Sequence, residues 1–506
     1  MEENKDQRIQ QNQINTVNIT VKEEKPWKGA PYFYYVCLIF SVFYVFCLFD
    51  NPVGITYPIF TAGLLFLYLQ LIKYQEEPLK KDSIFYMVSI LLLAVSNCIT
   101  DNQWIIFFNK VGIWLLFGIL CLHNSYEDKK WRFTKYACNL CIFFFGIIEN
   151  LFASIRQRKD WKKKKEEKSP SKMKYILMGL VIAMPLLVVI VSLLVSADAI
   201  FSNLVGRIFY VLFREIILPT KFIRILLMFL WGFLFFYSIL YNISQKKLNS
   251  QQKDFRTQEP LIAITFLALI AVVYLIFCGI QISYIFTGGM ELPSGYTYSS
   301  FARQGFFQLL FVCVLNLILV LMCLGLFREN KTLKILLTFI SGCTYIMIVS
   351  SAYRMMLYIV AYQLTRLRIL VLAALLVLAI LLGGVIRSIF RESFPLFKYS
   401  TIVVTVIYVI LSLSRIDFII AKYNVSQRGL DITYENQYIT TLSADAAGIY
   451  VEAARSCDNK TELAEENLDQ YFYVILDKPE IGVRNFNFSR YSGKKAADDY
   501  FLLKNE

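Results

Sequence analysis

The chain has 506 residues, of which 57% are hydrophobic, 16% aromatic and 18% charged. Its mean hydropathy of +0.51 excludes a soluble globular domain of ordinary composition. The charged residues fall into short blocks between long apolar runs, which predicts an all-α integral membrane protein. The formal net charge of +14 indicates contact with a membrane surface and no nucleic-acid partner.

Residues 1–30 are polar and lack the apolar core of a signal peptide, so we predict a disordered cytoplasmic arm there. The apolar runs that follow are long enough to cross a hydrocarbon layer of about 30 Å. Together they predict a polytopic helical bundle of about 11 (11–13) transmembrane helices, with interfacial helices and a small helical C-terminal tail domain. The predicted spans are Pro31–Phe49, Pro52–Ile72, Ile84–Ile99, Trp104–Leu122, Tyr175–Val195, Phe222–Tyr241, Pro260–Phe286, Gln304–Phe327, Leu333–Tyr353, Ile369–Ile386 and Phe397–Ser412.

The distribution of lysine and arginine orients these spans. With the N-terminus in the cytoplasm, the cytoplasmic segments hold about 32 of the 52 basic residues and the outer connections about 7. This orientation requires that the apolar stretch 136–152 does not cross, because crossing would place the strongly basic segment after it outside. We therefore interpret 136–152 as a re-entrant or interfacial segment.

The predicted spans and their orientation also divide the chain into parts. An amphipathic helix on the outer surface is predicted around Phe201–Phe213, where apolar residues recur at helical spacing. With eleven spans, the tail lies outside. The predicted parts are the N-terminal transmembrane helices with the non-crossing segment (31–152), a basic cytoplasmic loop (153–174), the C-terminal transmembrane helices (175–413) and the helical tail (414–506).

Few residues here are suited to catalysis or metal binding. His123 is the single histidine, and we expect it to be solvated in a polar loop, which argues against zinc and imidazole chemistry. The cysteines lie mostly in apolar runs, and the CxxC pair Cys138 and Cys141 has no second pair beside it. No metal, cofactor or catalytic residue is predicted, and the sequence contains no P-loop or nucleophile-elbow motif.

Two connections predicted on the outer face form the strongest candidate binding site. In FTGGMELPSGYTYSSFARQGFFQ, glycines and a proline permit tight turns, while aromatic and polar residues crowd the mouth of a span. In RMMLYIVAYQLTRLR, arginines and tyrosines step by four residues and would form one stripe on a helix. Guanidinium groups bind anionic oxygens bidentately, so we predict an anion-binding layer. Its residues are Glu291, Tyr296, Tyr298, Arg303, Gln304, Arg354, Tyr358, Tyr362, Arg366 and Arg368. A belt of interfacial anchors is the alternative interpretation.

Polar residues inside the spans are few. No Asp or Glu occurs within the eleven predicted spans, which disfavours an ion-coupled carrier. Lys110 lies near the outer end of its span, and we expect it to snorkel to the interface. Pro185, Asn316 and Gly342 lie near mid-span and keep a permease or channel for a small or lipidic solute open as an alternative.

Four stretches resemble a known family: ELPSGYTYSSFARQGFFQLL, YRMMLYIVAYQLTRLRI, ITTLSADAAG and NFNFSRYSGKKA. They are similar to the bacterial polytopic membrane family "domain of unknown function 4173", over about Ser171 to the end of the chain. The resemblance implies a bacterial cytoplasmic membrane protein and no mechanism. We expect a non-enzymatic cell-envelope or signalling component, with a membrane-embedded enzyme as a further alternative. The expected partners are the bilayer, anionic lipids or envelope polymers, and other membrane proteins.

Overall fold

The computed structural model describes residues 27–51, 53–128, 131, 133–163, 220–245, 256–287, 298–391, 393–429, 438, 440–456 and 462–505, with isolated positions between 183 and 201. These residues form α-helices and no β-strand. The helices of the transmembrane region are α1 (Ala30–Leu48), α2 (Thr56–Tyr74), α3 (Ser83–Ile99), α4 (Gln103–Ser125), α5 (Phe133–Glu149), α6 (Ala153–Lys163), α7 (Thr220–Gln245), α8 (Pro260–Thr287), α9 (Tyr298–Leu326), α10 (Lys331–Tyr362), α11 (Arg366–Phe390) and α12 (Leu396–Leu413). The tail contains α13 (Ile416–Arg428), a 3-10 helix (Ala444–Ala446), α14 (Ala447–Ser456), α15 (Glu462–Leu476) and α16 (Phe488–Asn505).

Among the described residues, 9 helices are long and apolar enough to cross a membrane, namely α1, α2, α4 and α7–α12. Helix α3 is apolar but has 17 residues. Together these helices correspond to ten of the predicted spans. The remaining span, Tyr175–Val195, and the amphipathic segment after it lie almost entirely outside the described residues, as does most of the N-terminal arm. The protein is an all-α polytopic membrane protein, which confirms the fold class predicted from composition.

Helices α1–α7 pack around one hydrophobic core. Aromatic rings interlock α1 with α7, as where Phe40 meets Phe236 edge-on with the ring centroids 4.8 Å apart. Gly63 permits the close approach of α2 to α1, because a Cβ atom at this position would lie 2.7 Å from a ring carbon of Phe43. Helices α3 and α4 form a hairpin in which the Asn102 side chain caps α4 by accepting from two backbone amides.

Helices α8–α11 form a second group with cores of their own. Asn316, near the middle of α9, donates to the Thr344 hydroxyl of α10 at 2.9 Å and accepts from the Tyr274 hydroxyl of α8 at 2.6 Å. Such bonds satisfy polar groups where water is absent. Helix α12 joins the two groups, since Ser96 of α3 donates to the Ser412 carbonyl at 2.8 Å and α12 packs against α11.

Both ends of α5 contact helix ends on one side of the bundle. Near its start, the Tyr136 ring stacks on Phe397 at the start of α12, with the centroids 3.8 Å apart. Towards its end, the Phe143 carbonyl accepts from Asn242 near the end of α7 at 3.0 Å. Arg158 of α6 then donates to a tyrosine hydroxyl near the start of α1. These contacts support the interpretation of a non-crossing segment, which stays a prediction.

The tail helices build a small domain on the opposite side of the bundle, which we call the tail side. Its core contains Tyr450, Leu468, Tyr471, Phe472 and Tyr500. The Phe472 and Tyr500 rings stack with their centroids 4.5 Å apart, which fastens α15 to α16. The domain covers the end of α1, the α3–α4 junction, the α10–α11 junction and the end of α12, where Leu411 packs against its core.

The prediction of a solvated His123 is wrong. Helix α4 continues through the polar residues after its apolar run, so His123 is helical and 5% exposed. Its Nδ1 lies 2.7 Å from Asp128 Oδ2, and the Lys80 ammonium donates to its backbone carbonyl at 2.6 Å. These two contacts pair the imidazole and the backbone carbonyl of His123, and so stabilise the turn of α4 that follows the apolar run.

Candidate functional site

The tail side is shaped by three helix junctions. The α3–α4 junction contains Thr100, Asp101 and Asn102, all of them buried. At the α10–α11 junction Gln363 has a φ of 68°, and at the α12–α13 junction Arg415 has a φ of 51°. The left-handed region is unfavourable for residues other than glycine, so the surrounding contacts must hold these two turns in place.

Asp417 of α13 accepts charged hydrogen bonds from the α10–α11 junction. Arg366 binds it with two parallel bonds, Nε to Oδ1 at 2.6 Å and Nη2 to Oδ2 at 2.7 Å. The Asn102 amide donates to Oδ1 at 3.0 Å, and the Ser443 backbone N–H donates to Oδ2 at 2.9 Å. The Asp417 side chain is fully buried, so this fork fixes both the distance and the orientation of α13 relative to α11.

Asp445, in the 3-10 helix, forms the second contact. The Thr100 hydroxyl donates to Oδ2 at 2.5 Å, and the Ser443 hydroxyl donates to the same oxygen at 3.0 Å. Arg415 completes the set from the α12–α13 junction, with Nε 3.1 Å from Oδ1. A second buried carboxylate therefore connects the tail to the α3–α4 junction.

Asp101 forms the third contact. Here the carboxylate belongs to the bundle and the cationic side chains belong to the tail. Arg490 of α16 donates from Nε to Oδ1 at 2.7 Å, and the Lys478 ammonium contacts Oδ2. The Asp101 side chain is fully buried. We call Asp101, Asp417 and Asp445 with their cationic partners the carboxylate layer.

Neutral amides extend the carboxylate layer. Asn487 donates to the backbone carbonyls of Asn97 and Thr100, both at 3.0 Å, at the end of α3. Asn51, just after α1, donates to the Arg484 carbonyl at 2.8 Å. Arg484 returns a bond from Nη2 to the Phe49 carbonyl at 2.8 Å. The tail thus supplies hydrogen bonds to helix ends that would otherwise expose backbone groups.

Tyrosines surround the buried charges. Burial raises the pKa of Tyr450 and Tyr471, and the nearby Asp417 carboxylate raises both further. Both hydroxyls therefore stay protonated, and Tyr471 donates to the Ser443 carbonyl at 2.7 Å. The Tyr438 hydroxyl accepts from the Arg366 backbone N–H at 2.8 Å. The tyrosines consequently add no charge to the layer, whose three carboxylates face four cationic side chains.

The energetics favour a positioning role for the carboxylate layer. Taking a carboxylate out of water costs several kcal/mol, and a good ion pair offsets roughly that amount, so a buried pair adds little net stability. Removing one partner, in contrast, costs about 3–5 kcal/mol because the other charge stays buried. The three carboxylates and their four ion pairs therefore specify where the tail sits more than how stable the fold is.

The predicted anion-binding residues of the glycine-containing connection lie at the edge of the described residues. Glu291 and Tyr296 fall outside them. Tyr298, Arg303 and Gln304 belong to the first turns of α9, which therefore begins six residues before the predicted span Gln304–Phe327. Helix formation begins earlier than the apolar run because the segment after Tyr298 contains neither proline nor a β-branched cluster that would oppose it.

The predicted stripe does not lie on one helix, which corrects the second connection. Residues 354–362 continue the long helix α10, whereas Arg366 begins α11 after the break at Gln363. Arg354 donates to the Gln281 side chain of α8 at 3.2 Å, so it faces the second helix group. Arg366 faces the tail.

The remaining residues of the stripe pack on one another. The Tyr358 and Tyr362 rings lie 5.2 Å apart, and the Arg368 guanidinium lies 4.1 Å above the Tyr358 ring. Arg368 also donates to the Tyr362 carbonyl at 2.7 Å, which ties α11 back to the end of α10. These cation–π and carbonyl contacts stabilise the junction that positions Arg366.

Sequence reasoning missed the carboxylates themselves. Asp101 and Asp417 each occur as a single acid beside an apolar run, in TDNQW and RIDF, whereas Asp445 lies in the tail, in SADAAG. An acid directly at a membrane-span end was the available signal, since such charges are costly unless paired. The pairing partner could not be found from the sequence, because Thr100 and Asp445 are 345 residues apart.

The described residues contain no group of three or more His, Cys, Asp or Glu side chains that could hold a metal ion. Cys138 and Cys141 are free and exposed on α5. The geometry of the carboxylate layer is that of a polytopic membrane protein whose C-terminal domain is fastened to its helix ends.

A family model described as "Domain of unknown function (DUF4153)" matches residues 87–453, and the chain belongs to this family. The sequence resemblance thus indicated a membrane family of unknown function, but a differently numbered one, and it placed the matching region too far towards the C-terminus. No curated protein and no solved structure shows significant similarity to the chain. The matching region includes Asp101, Arg366, Asp417 and Asp445.

Proposed function

We propose that this protein is a non-enzymatic component of the bacterial cytoplasmic membrane that assembles or signals through its C-terminal domain. In this proposal the N-terminus is cytoplasmic and the tail is outside, as the lysine and arginine distribution favours. The observation that carries the proposal is the carboxylate layer, which holds the tail in one orientation over four helix ends. The anionic ligand of Arg366 is then a carboxylate of the chain's own tail.

A docked domain in a fixed orientation is suited to presenting a surface. Tyr473 and Val474 on α15 and Leu502 on α16 are exposed apolar residues, and the Tyr473 ring lies 4.8 Å from Phe501. Exposed apolar patches on a folded domain mark protein interaction sites. We infer that this surface, defined by Tyr473, Val474 and Leu502, contacts another membrane or envelope protein.

Site-specific photo-crosslinking in intact cells tests the proposal. A photoreactive amino acid at Tyr473 should yield one defined protein adduct, whereas the same amino acid at the exposed Glu452 of α14 should yield none. Asp417→Asn should reduce the adduct, because the domain would no longer be held in place. Equal adducts at both positions, or none at Tyr473, would contradict the proposal.

The alternative of a permease has less support from the described helices. Helices α9 and α10 run unbroken through Asn316 and Gly342, and the Asn316 amide is satisfied within the bundle. A discontinuous helix with free backbone groups is typical of a solute site at mid-membrane, and Pro185 lies outside the described residues. Saturable uptake of a solute by liposomes containing the purified protein would nevertheless establish this alternative.

A further inference from the structure

A cleft lies between the two helix groups at the depth of the membrane spans. Its volume is about 320 Å³, within the range of about 300–1,000 Å³ found for ligand pockets. The first helix group contributes Leu116 and Ile119 of α4, the second contributes Leu321 of α9 and Val385 of α11, and Phe397 of α12 lines the cleft between them. The cleft exists because α12 joins the groups while α4 and α9 stay apart.

The walls of the cleft are almost entirely carbon. The few hydroxyl groups that line it include Thr401, which donates to the Phe397 carbonyl at 2.9 Å, and Tyr408, which donates to Asn109 Oδ1 at 2.9 Å. These two hydroxyls are therefore used within the chain. A buried water molecule needs two to four polar partners, so the cleft is unsuited to water.

The cleft opens sideways from the bundle. Leu115 of α4 and Val404 of α12 both line it, and each is 43% exposed. At this depth of a spanning bundle the surrounding solvent is hydrocarbon. If the cleft were empty, the side chains that line it would lack van der Waals contacts on one side. A hydrocarbon chain that enters from the bilayer would restore those contacts.

We propose that the cleft is a binding site for one acyl chain of a membrane phospholipid. The chain enters between Leu115 and Val404 and lies along α12. The headgroup stays at the end of the cleft away from the tail, near Phe133 and Phe397. Next to Phe397 in the chain, the half-exposed Lys398 ammonium pairs with the half-exposed Asp82 at 2.5 Å, so these charges lie at the same end of α12 as the proposed headgroup. The proposal is independent of any partner of the tail domain.

A matched pair of substitutions on α12 tests the site. Val404 lines the cleft and is 43% exposed, whereas Val406 is 42% exposed and does not line it. Tryptophan at position 404 would fill the space that the chain needs. The proteins are reconstituted into nanodiscs of phosphatidylethanolamine and phosphatidylglycerol, extracted in mild detergent and examined by native mass spectrometry.

We expect wild type and Val406→Trp to retain one phospholipid, and Val404→Trp to retain about tenfold less. A second pair of substitutions on α4 repeats the comparison on another helix, so that misfolding of one variant cannot decide the outcome. Leu115 lines the cleft, whereas Val111, which is 40% exposed, does not. Leu115→Trp should lose the lipid, and Val111→Trp should keep it. Equal retention within both pairs, or a retained mass equal to a free fatty acid, would overturn the proposal.

Discussion

Replacing Asp417 by asparagine isolates one contact of the carboxylate layer with almost no change of shape. The aspartate accepts four hydrogen bonds, two from Arg366, one from Asn102 and one from the Ser443 N–H. An asparagine oxygen can replace one carboxylate oxygen only, and the amide NH₂ would meet the two donors that the other oxygen accepts from. The variant therefore both removes the negative charge and opposes two donors.

The magnitude follows from the burial of the two partners. Breaking a buried ion pair costs about 3–5 kcal/mol. The Asp417 side chain is 0% exposed, but that of Arg366 is 21% exposed, so water can solvate part of the abandoned guanidinium. We therefore expect the lower end, about 3 kcal/mol, which makes undocking of the tail about a hundredfold more frequent.

Hydrogen exchange of the purified protein in nanodiscs measures this change. Amides of α14 should exchange about a hundredfold faster in Asp417→Asn than in wild type, because undocking exposes them. Asp469→Asn is the matched control, since Asp469 bonds Tyr500 and Lys504 inside the tail domain and not at the bundle. Unchanged exchange in α14, or the same acceleration in the control, would refute the reasoning.

Three further predictions concern topology, Lys110 and Arg366. In variants with a single cysteine, an impermeant thiol reagent should label Cys457, which lies outside the described residues, in intact cells, and should label Cys138 of α5 only after lysis. The reverse pattern would contradict the predicted orientation. Lys110, whose ammonium lies 5.8 Å from an aromatic ring centroid at the start of α2, should tolerate Lys110→Met with a near-normal thermal midpoint, and lost activity with intact folding would contradict its structural role. Arg366→Lys should weaken tail docking by about 1–2 kcal/mol, because an ammonium cannot make the two parallel bonds to Asp417, and wild-type exchange rates in α14 would disprove this.

Hydropathy predicted the spans well because the hydrocarbon layer requires predominantly apolar side chains along the whole length of a span. Pro260–Phe286 and Phe397–Ser412 agree with α8 and α12 within a few residues. Helix ends were less predictable, since they depend on local polar partners. His123 shows this, because Lys80 and Asp128 allow α4 to continue past its apolar run.

The candidate site was predicted only in part, for two physical reasons. The spacing of Arg354 and Arg366 fits a continuous helix, and the segment between them contains no glycine or proline that would have predicted the left-handed turn at Gln363. The partner of Arg366 lies 51 residues further along the chain, and only folding brings them together. Arg366 contacts the Asp417 carboxylate and Arg354 contacts Gln281, so the two arginines do not share one site, and binding of an external anionic group stays a prediction.

The carboxylate layer also determines which parts of the chain form one unit. A boundary at 414 divides the chain by hydropathy, but the Arg366–Asp417 and Arg415–Asp445 pairs connect its two sides. The family match ends at residue 453, within α14, so it includes both partners of each of these pairs. A bundle that ended with α12 would leave Arg366 and the Thr100 hydroxyl without these acceptors. Helix α13 and the 3-10 helix therefore supply ion-pair and hydrogen-bond partners to the membrane helices and belong to the same folded unit. Lys478, just after α15, and Arg490 of α16 add the contact to Asp101 from beyond the family region.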